Sequence, residues 1–191
     1  MSGAHPPPGS RARETAWLVL RAQAGDRAAL EALLEHAHAM LLPYVGVMVR
    51  DGDAAADVLQ EILVLLYRKL PTLREPRAFA SWARRIASRE IFRALRRLRR
   101  HERTHDELPP DVPAEPDPEP ASEGMLARLP ALLERVSPAS RAVVALHYLD
   151  GLTLDETAAV LDLPAGTVKS RLAYGLATLR RVLAEEGTST R

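Results

Sequence analysis

The residues that could do chemistry in this chain are cations and small polar groups set on helices. Gly166, Thr167, Lys169, Ser170, Arg171 and Tyr174 follow one another within a few turns of a predicted helix. Gly166 and Thr167 fall in its first turn, where free backbone N–H groups can meet a phosphate. Lysine and arginine can read guanine edges, and serine can bond a base or a phosphate. That chemistry is recognition of duplex DNA. A second set is Arg85, Arg89, Arg93, Arg96, Arg100 and Arg103, whose spacing makes one helical stripe, with Arg97 on the same segment. A helix packed on one side and densely basic on another suits a polyanion. Phe79, Trp82 and Phe92 lie along the same segment and could stack on bases; with aromatics at 4% of the chain, core packing is the commoner use. A third set, Asp57, Gln60 and Glu61 with Arg68, forms the polar face of another predicted helix. Spacing alone leaves a solvated face and a docking surface equally open.

No catalytic constellation accompanies them. There is no glycine-rich phosphate loop and no Ser/His/Asp arrangement of familiar spacing. His36 and His38 point to different faces of a helix, and His101 and His105 sit at a helix end with no further ligand, so neither a metal nor a cofactor is expected. The chain has no cysteine, which excludes disulfides, zinc fingers of cysteine type and thiol catalysis, and fits a reducing cytoplasm. The opening MSGAHPPPGS has no apolar core behind it, and the longest apolar run, Ile62 to Tyr67, is too short for a bilayer. A cytoplasmic protein without membrane insertion is expected.

Helices must position these groups. Apolar residues recur at spacings of three and four, and alternating strand patterns are absent. Thr15 is expected to cap a first helix ending at Gly25, and Asp26 a second whose apolar face holds Leu30, Leu33, Leu34, Ala37, Leu41, Tyr44 and Met48, kinked or interrupted at Pro43. After Asp51-Gly52-Asp53 a helix is expected over about 54–70, with Leu59, Leu63, Leu66 and Leu70 in line. Pro71 and Pro76 bound a loop, and a long helix follows over about 77–103, with Ala83, Ala87, Ile91, Leu95 and Leu98 as its apolar stripe. Further on, Ser137-Pro138 opens a helix that runs to Leu149 and stops at Asp150-Gly151. Thr153 and Glu156 form a capping box; Leu154, Ala158 and Leu161 face the core; Asp162 sits where the chain turns sharply; and Pro164 starts the last helix. Capping box, turn and basic helix together predict a helix-turn-helix.

The net charge is only +1, but it is unevenly spread. The basic block from Arg84 to Arg103 is followed by Asp106, Glu107, Asp111, Glu115, Asp117, Glu119 and Glu123, interleaved with six prolines and no basic residue. Such a stretch stays extended and is predicted to be a linker.

With these elements in place, LTLDETAAVLDLPAGTVKSRLAYGLATLRRVL (152–183) resembles the −35-reading domain of bacterial RNA polymerase sigma factors, most specifically in GTVKSRL. DAAADVLQEILVLLYRKL followed by FASWARRIASREIFRALRRLRR resembles their −10 domain. Two such domains and a short linker resemble the extracytoplasmic-function (ECF) group of the sigma-70 family. The resemblance implies an all-α fold of two small helical domains: a disordered start (1–11), region 2 (12–103), an acidic proline-rich linker (104–124), the region 4 helix-turn-helix (125–187) and a tail (188–191). It implies a factor, not an enzyme, that binds core RNA polymerase and directs initiation at promoter DNA. Asp57, Gln60 and Glu61 match the stretch that docks on the β′ clamp helices, and region 4 is expected to meet the β flap. Trp82, Arg85, Arg89, Arg93, Arg96, Arg97 and Arg100 match the part that engages the opened −10 strand. Gly166, Thr167, Lys169, Ser170, Arg171 and Tyr174 match the −35 contacts. An anti-sigma factor is a further expected partner. The chain departs from the family at Arg89 and Arg93, where Asn and Asp are frequent, at Asp162, usually glycine, and at Tyr174, where an arginine is common; these bear on promoter sequence, not on fold. The competing functions are a sigma-like decoy that binds only an anti-sigma protein and a helix-turn-helix regulator that acts without polymerase.

Overall fold

The computed structural model describes residues 8–101 and 131–188, with side-chain surroundings for 12–98 and 131–185. The expected linker (104–124), the tail beyond Thr188 and the side chains of Arg100 and Arg103 lie outside the described residues. Within them every regular element is helical, as expected of an all-α chain.

Four helices build the N-terminal half. Helix α1 is Pro8–Gln23, α2 Arg27–Met48, α3 Gly52–Lys69 and α4 Phe79–His101. Helix α1 begins well before Thr15, which therefore lies inside the helix and caps nothing. Proline is tolerated in a first helical turn, so the stretch from Pro8 onward is helical rather than part of a disordered start. Gly25, at φ +93°, turns the chain after α1. Asp26 then caps α2 by accepting from the Ala29 N–H, and Asp51 caps α3 by accepting from that of Ala54. Helix α2 is not interrupted at Pro43. The ring forfeits one backbone hydrogen bond, but Leu41, Tyr44, Val45 and Met48 around it are all buried. Burying such side chains contributes about 1.5–3 kcal/mol each, which outweighs the local defect.

The core of this half is Leu33, Ala37, Leu41 and Tyr44 of α2, Val58, Ile62 and Leu66 of α3, and Ala83, Ala87 and Ile91 of α4. The Tyr44 hydroxyl meets Ser88 Oγ at 3.1 Å, so the phenol crosses from α2 to α4 with its polar end satisfied. Burial pushes this phenol's pKa up. Leu98 was expected in the same stripe but is exposed; the buried set of α4 ends at Ala94, and Ile86 is a member that the stripe omitted. Leu30, Leu34, Leu63 and Leu95 are only half-buried. Short 3-10 turns at Leu70–Thr72 and Pro76–Ala78 replace the expected loop, tied to α1 by Gln23 Nε2, which donates to the carbonyls of Leu70 and Leu73.

The C-terminal half contains α5 (Pro138–Val144), α6 (Leu154–Leu161) and α7 (Ala165–Thr188). Ser137 caps α5 through the Ser140 N–H. The helix runs on to Leu149, but its last turn, Ala145–Leu149, widens to π geometry. His147 Nδ1–H donates to the Leu152 carbonyl at 2.6 Å and closes that turn. Gly151, at φ +68°, ends it. The capping box of α6 is complete: Thr153 Oγ1 accepts from the Glu156 N–H, and the Glu156 carboxylate accepts from the Thr153 N–H. The buried residues of α6 are Thr157, Ala158 and Val160, while Leu154 and Leu161 are half-buried. Thr157 is affordable in the core because its hydroxyl donates to the Thr153 carbonyl.

Candidate nucleic-acid interface

Helices α6 and α7 meet at Asp162, which adopts the left-handed conformation (φ 59°, ψ 49°). Its N–H bonds to the Ala158 carbonyl, so the turn is a helix C-cap with aspartate in the glycine position. Pro164 precedes α7, and its carbonyl accepts from Val168. The opening turns of α7 are thereby presented with Gly166 and Lys169 exposed and Thr167, Ser170, Arg171 and Tyr174 half-buried. Ser170 Oγ donates to the Thr167 carbonyl at 3.1 Å. Val168 and Leu172, on the inner side, are buried. All six predicted −35 residues thus belong to the opening two to three turns of one helix.

The basic stripe lies on α4. Arg85, Arg89, Arg93, Arg96 and Arg97 are all exposed. Arg93 Nη1 donates to both carboxylate oxygens of Glu90, at 2.6 and 2.8 Å. Arg97 Nη2 pairs with Glu61 Oε2 at 3.0 Å. That bond joins one predicted −10 residue to one predicted polymerase-docking residue. Trp82 is half-buried, with its ring 5.9 Å from that of Phe79 and tilted by 40°; Phe79 is fully buried. Asp57, Gln60 and Glu61 are exposed together on α3, with Val64 and Tyr67 exposed beyond them.

Sequence spacing gave no sign that α4 and the helix-turn-helix touch. Arg84 Nε donates to Asp150 Oδ2 at 2.6 Å, with only 13% and 7% of the two side chains exposed. Arg85 donates twice to the Ala159 carbonyl, at 3.1 and 2.7 Å. Arg89 Nη2 reaches Asp162 Oδ2 at 3.3 Å in a pair that is mostly solvated. Burial raises the Asp150 carboxyl pKa against the lowering effect of Arg84. Removing either partner would leave the other buried without its counter-charge. Arg141 of α5, almost fully buried, donates to the carbonyls of Glu134 and Val136 and, at 3.5 Å, to that of Met48 in the other half. Arg84, Arg141 and Asp150 are contact residues that spacing could not find, since Arg84 and Asp150 pair across the two halves and Arg141 reaches Met48 of the other half.

Among the described residues no group of His, Cys, Asp or Glu could hold a metal ion. No described helix is long and apolar enough to cross a membrane.

Two family profiles match the chain. Sigma-70 region 2 matches residues 33–101, and sigma-70 region 4 matches residues 132–181. The ECF RNA polymerase sigma factor SigM of Mycobacterium tuberculosis is 31% identical over 175 residues, which span 92% of this chain and 87% of that protein. The ECF RNA polymerase sigma-E factor of Escherichia coli is 30% identical over 166 residues, spanning 81% of this chain and 86% of its own length. Among solved structures, CnrH in complex with the cytosolic domain of CnrY has a TM-score of 0.66 at 24% identity, covering 90% of this chain and 98% of that one. The sigma factor RpoE in complex with the anti-sigma factor NepR from Bartonella quintana has a TM-score of 0.60 at 19% identity, covering 83% and 96%. These two likenesses confirm the fold.

Proposed function

The chain belongs to the ECF sigma factors of the sigma-70 family, and from that premise we propose how its residues divide the work of directing RNA polymerase to promoters. Region 2, taken as 12–103, carries the polymerase contact and the −10 contact. Asp57, Gln60 and Glu61 dock on the β′ clamp helices. Trp82, Arg85, Arg89, Arg93, Arg96, Arg97 and Arg100 follow the separated −10 strand, chiefly through its phosphates. Region 4, taken as 125–187, places the start of α7 in the major groove of the −35 element and meets the β flap. Gly166 and Thr167 face phosphate there, while Lys169, Ser170, Arg171 and Tyr174 face base edges or phosphate. The linker (104–124) joins the two and follows the polymerase channels as a polyanion. The protein works in the cytoplasm, catalyses nothing itself and needs no cofactor; the polymerase makes the RNA.

The observation that carries this reading is the pairing, in one chain and in order, of both sigma regions with relatives of about 30% identity over most of its length. Run-off transcription with core polymerase on a promoter library tests it. Specific initiation above core alone is expected, and its absence overturns the reading.

The packing of α4 on α6 supports a further step. Arg84, Arg85 and Arg89 are engaged by Asp150, Ala159 and Asp162, so the free protein holds part of its −10 surface against its −35 unit. Polymerase must separate the halves to span the distance between the two promoter elements. The purified protein alone is therefore expected to give no sequence-specific gel shift at physiological salt, whereas a stand-alone regulator would. An anti-sigma protein that holds the halves together would act on the same equilibrium.

A further inference from the structure

Between α4 and the helix-turn-helix lies a cavity of about 450 Å³. Four arginines line it: Arg89, Arg93 and Arg96 from α4, and Arg171 from α7. Among the described residues no carboxylate lines it. Arg89 is drawn to Asp162 and Arg93 is held by Glu90, but Arg96 and Arg171 have no ion-pair partner among the described residues. Two guanidinium groups, one from each half, thus line one cleft without an ion-pair partner among the described residues. Ser88 also lines it, and the apolar part of the described lining is the half-buried Phe92 ring with Ala139, Val160, Leu161 and Leu163. The volume falls in the range of pockets that hold small ligands, roughly 300–1,000 Å³. Guanidinium groups bind phosphate through paired N–H donors, and an aromatic side chain among aliphatic neighbours offers a surface for a flat ring.

We propose that this cleft binds a small ligand that combines several phosphates with a flat ring, a nucleoside triphosphate in chemical class. Its phosphates bridge Arg96 of the N-terminal half and Arg171 of the C-terminal half, and its ring lies against Phe92. Because both halves supply donors, the ligand binds only the packed arrangement and stabilises it by mass action. If the functional assignment above holds, the same ligand competes with promoter DNA for Arg96 and Arg171; the binding site itself does not depend on that assignment.

The test is titration calorimetry on the full chain with three probes: ATP, inorganic tripolyphosphate and adenosine. ATP is expected to bind at one site per chain with a dissociation constant below about 1 mM and at least about tenfold more tightly than tripolyphosphate, while adenosine shows no saturable binding. Arg171→Ala, on a half-buried surface position, is expected to weaken ATP about tenfold, as is Arg96→Ala. Asp150→Arg, which sets two guanidinium groups together and separates the halves, is expected to abolish ATP binding, and the exchange Arg84→Asp with Asp150→Arg to restore it. Equal affinity for ATP and tripolyphosphate would reduce the site to bare positive charge and overturn the proposal. So would ATP affinity unchanged by Arg171→Ala, which remains decisive even where Asp150→Arg fails to fold. A single-stranded DNA oligonucleotide that binds the packed protein while ATP does not would likewise overturn it, since the cleft would then be only part of a DNA track.

Discussion

Arg171 and Lys169 stand two residues apart on the opening turns of α7, Lys169 exposed and Arg171 half-buried, and each can contribute a base or phosphate contact. A bidentate arginine contact discriminates between bases by about 1–3 kcal/mol. Arg171→Ala is therefore expected to lower initiation roughly 5- to 100-fold and to flatten the preference for one −35 base pair, as measured by run-off transcription on templates varied at each −35 position. Lys169→Ala, acting on phosphate, is expected to lower initiation on all templates alike. Tyr174 lies one turn on from Ser170 and Arg171, so Tyr174→Arg, which adds a charge there, is expected to alter the preferred −35 sequence rather than abolish activity. Asp162 shows a different trade. A left-handed backbone costs an L-residue about 1–2 kcal/mol, less for aspartate, and the solvated pair with Arg89 returns at most about 1 kcal/mol. Asp162→Gly is expected to raise the melting temperature slightly while weakening the contact between the halves.

At the scale of elements, helix α6 depends on its N-terminal cap. Thr153→Ala should destabilise the protein by about 1 kcal/mol in urea denaturation. The cap also couples to pH. Hydrogen bonds from the Thr153 N–H and hydroxyl hold the Glu156 carboxyl below its ordinary value of 4.5. A depressed folded-state pKa adds stability that is present above the unfolded value and lost as pH falls through the folded one. The slope of stability against pH below about 5 is expected to become shallower in Glu156→Gln. Helix α7 crosses α5 at Gly175, where a Cβ would stand 2.7 Å from Val144 Cγ2. An alanine there would gain about 1 kcal/mol of helix propensity. Val144 is fully buried and stiff, so overpacking of about 1–3 kcal/mol should exceed that gain. Gly175→Ala is thus expected to lower stability, and adding Val144→Ala to recover part of the loss.

For the whole molecule, the contact between α4 and α6 sets what the free protein can do. Asp150→Arg is expected to increase the radius of gyration in solution scattering and to strengthen binding of single-stranded −10 DNA several-fold, because Arg84, Arg85 and Arg89 are released. The exchange Arg84→Asp with Asp150→Arg should return the compact form. An unchanged scattering profile in Asp150→Arg would show that the apolar contacts hold the halves without the ion pair.

Much of this was legible in residue order. The caps at Asp26, Ser137 and Thr153 are local, because donor and acceptor lie within three residues, and so is the turn at Asp162. The exposed face of Asp57, Gln60 and Glu61 follows from helical period alone. Pro43 and Leu98 were less legible. Whether a proline is carried through a helix, or where a buried stripe ends, depends on what packs against it. Sequence by itself determined the helices, the caps at Asp26, Ser137 and Thr153 and the two sets of cationic residues, since these rest on contacts between near neighbours in the chain; the cap expected at Thr15 failed because α1 begins at Pro8. Only the tertiary structure decided that Arg84 meets Asp150, 66 residues away, that Arg85 caps the Ala159 carbonyl and that Arg96 and Arg171 face one cavity. Such pairings are set by how two folded surfaces fit, and no periodicity along the chain encodes a partner across a linker.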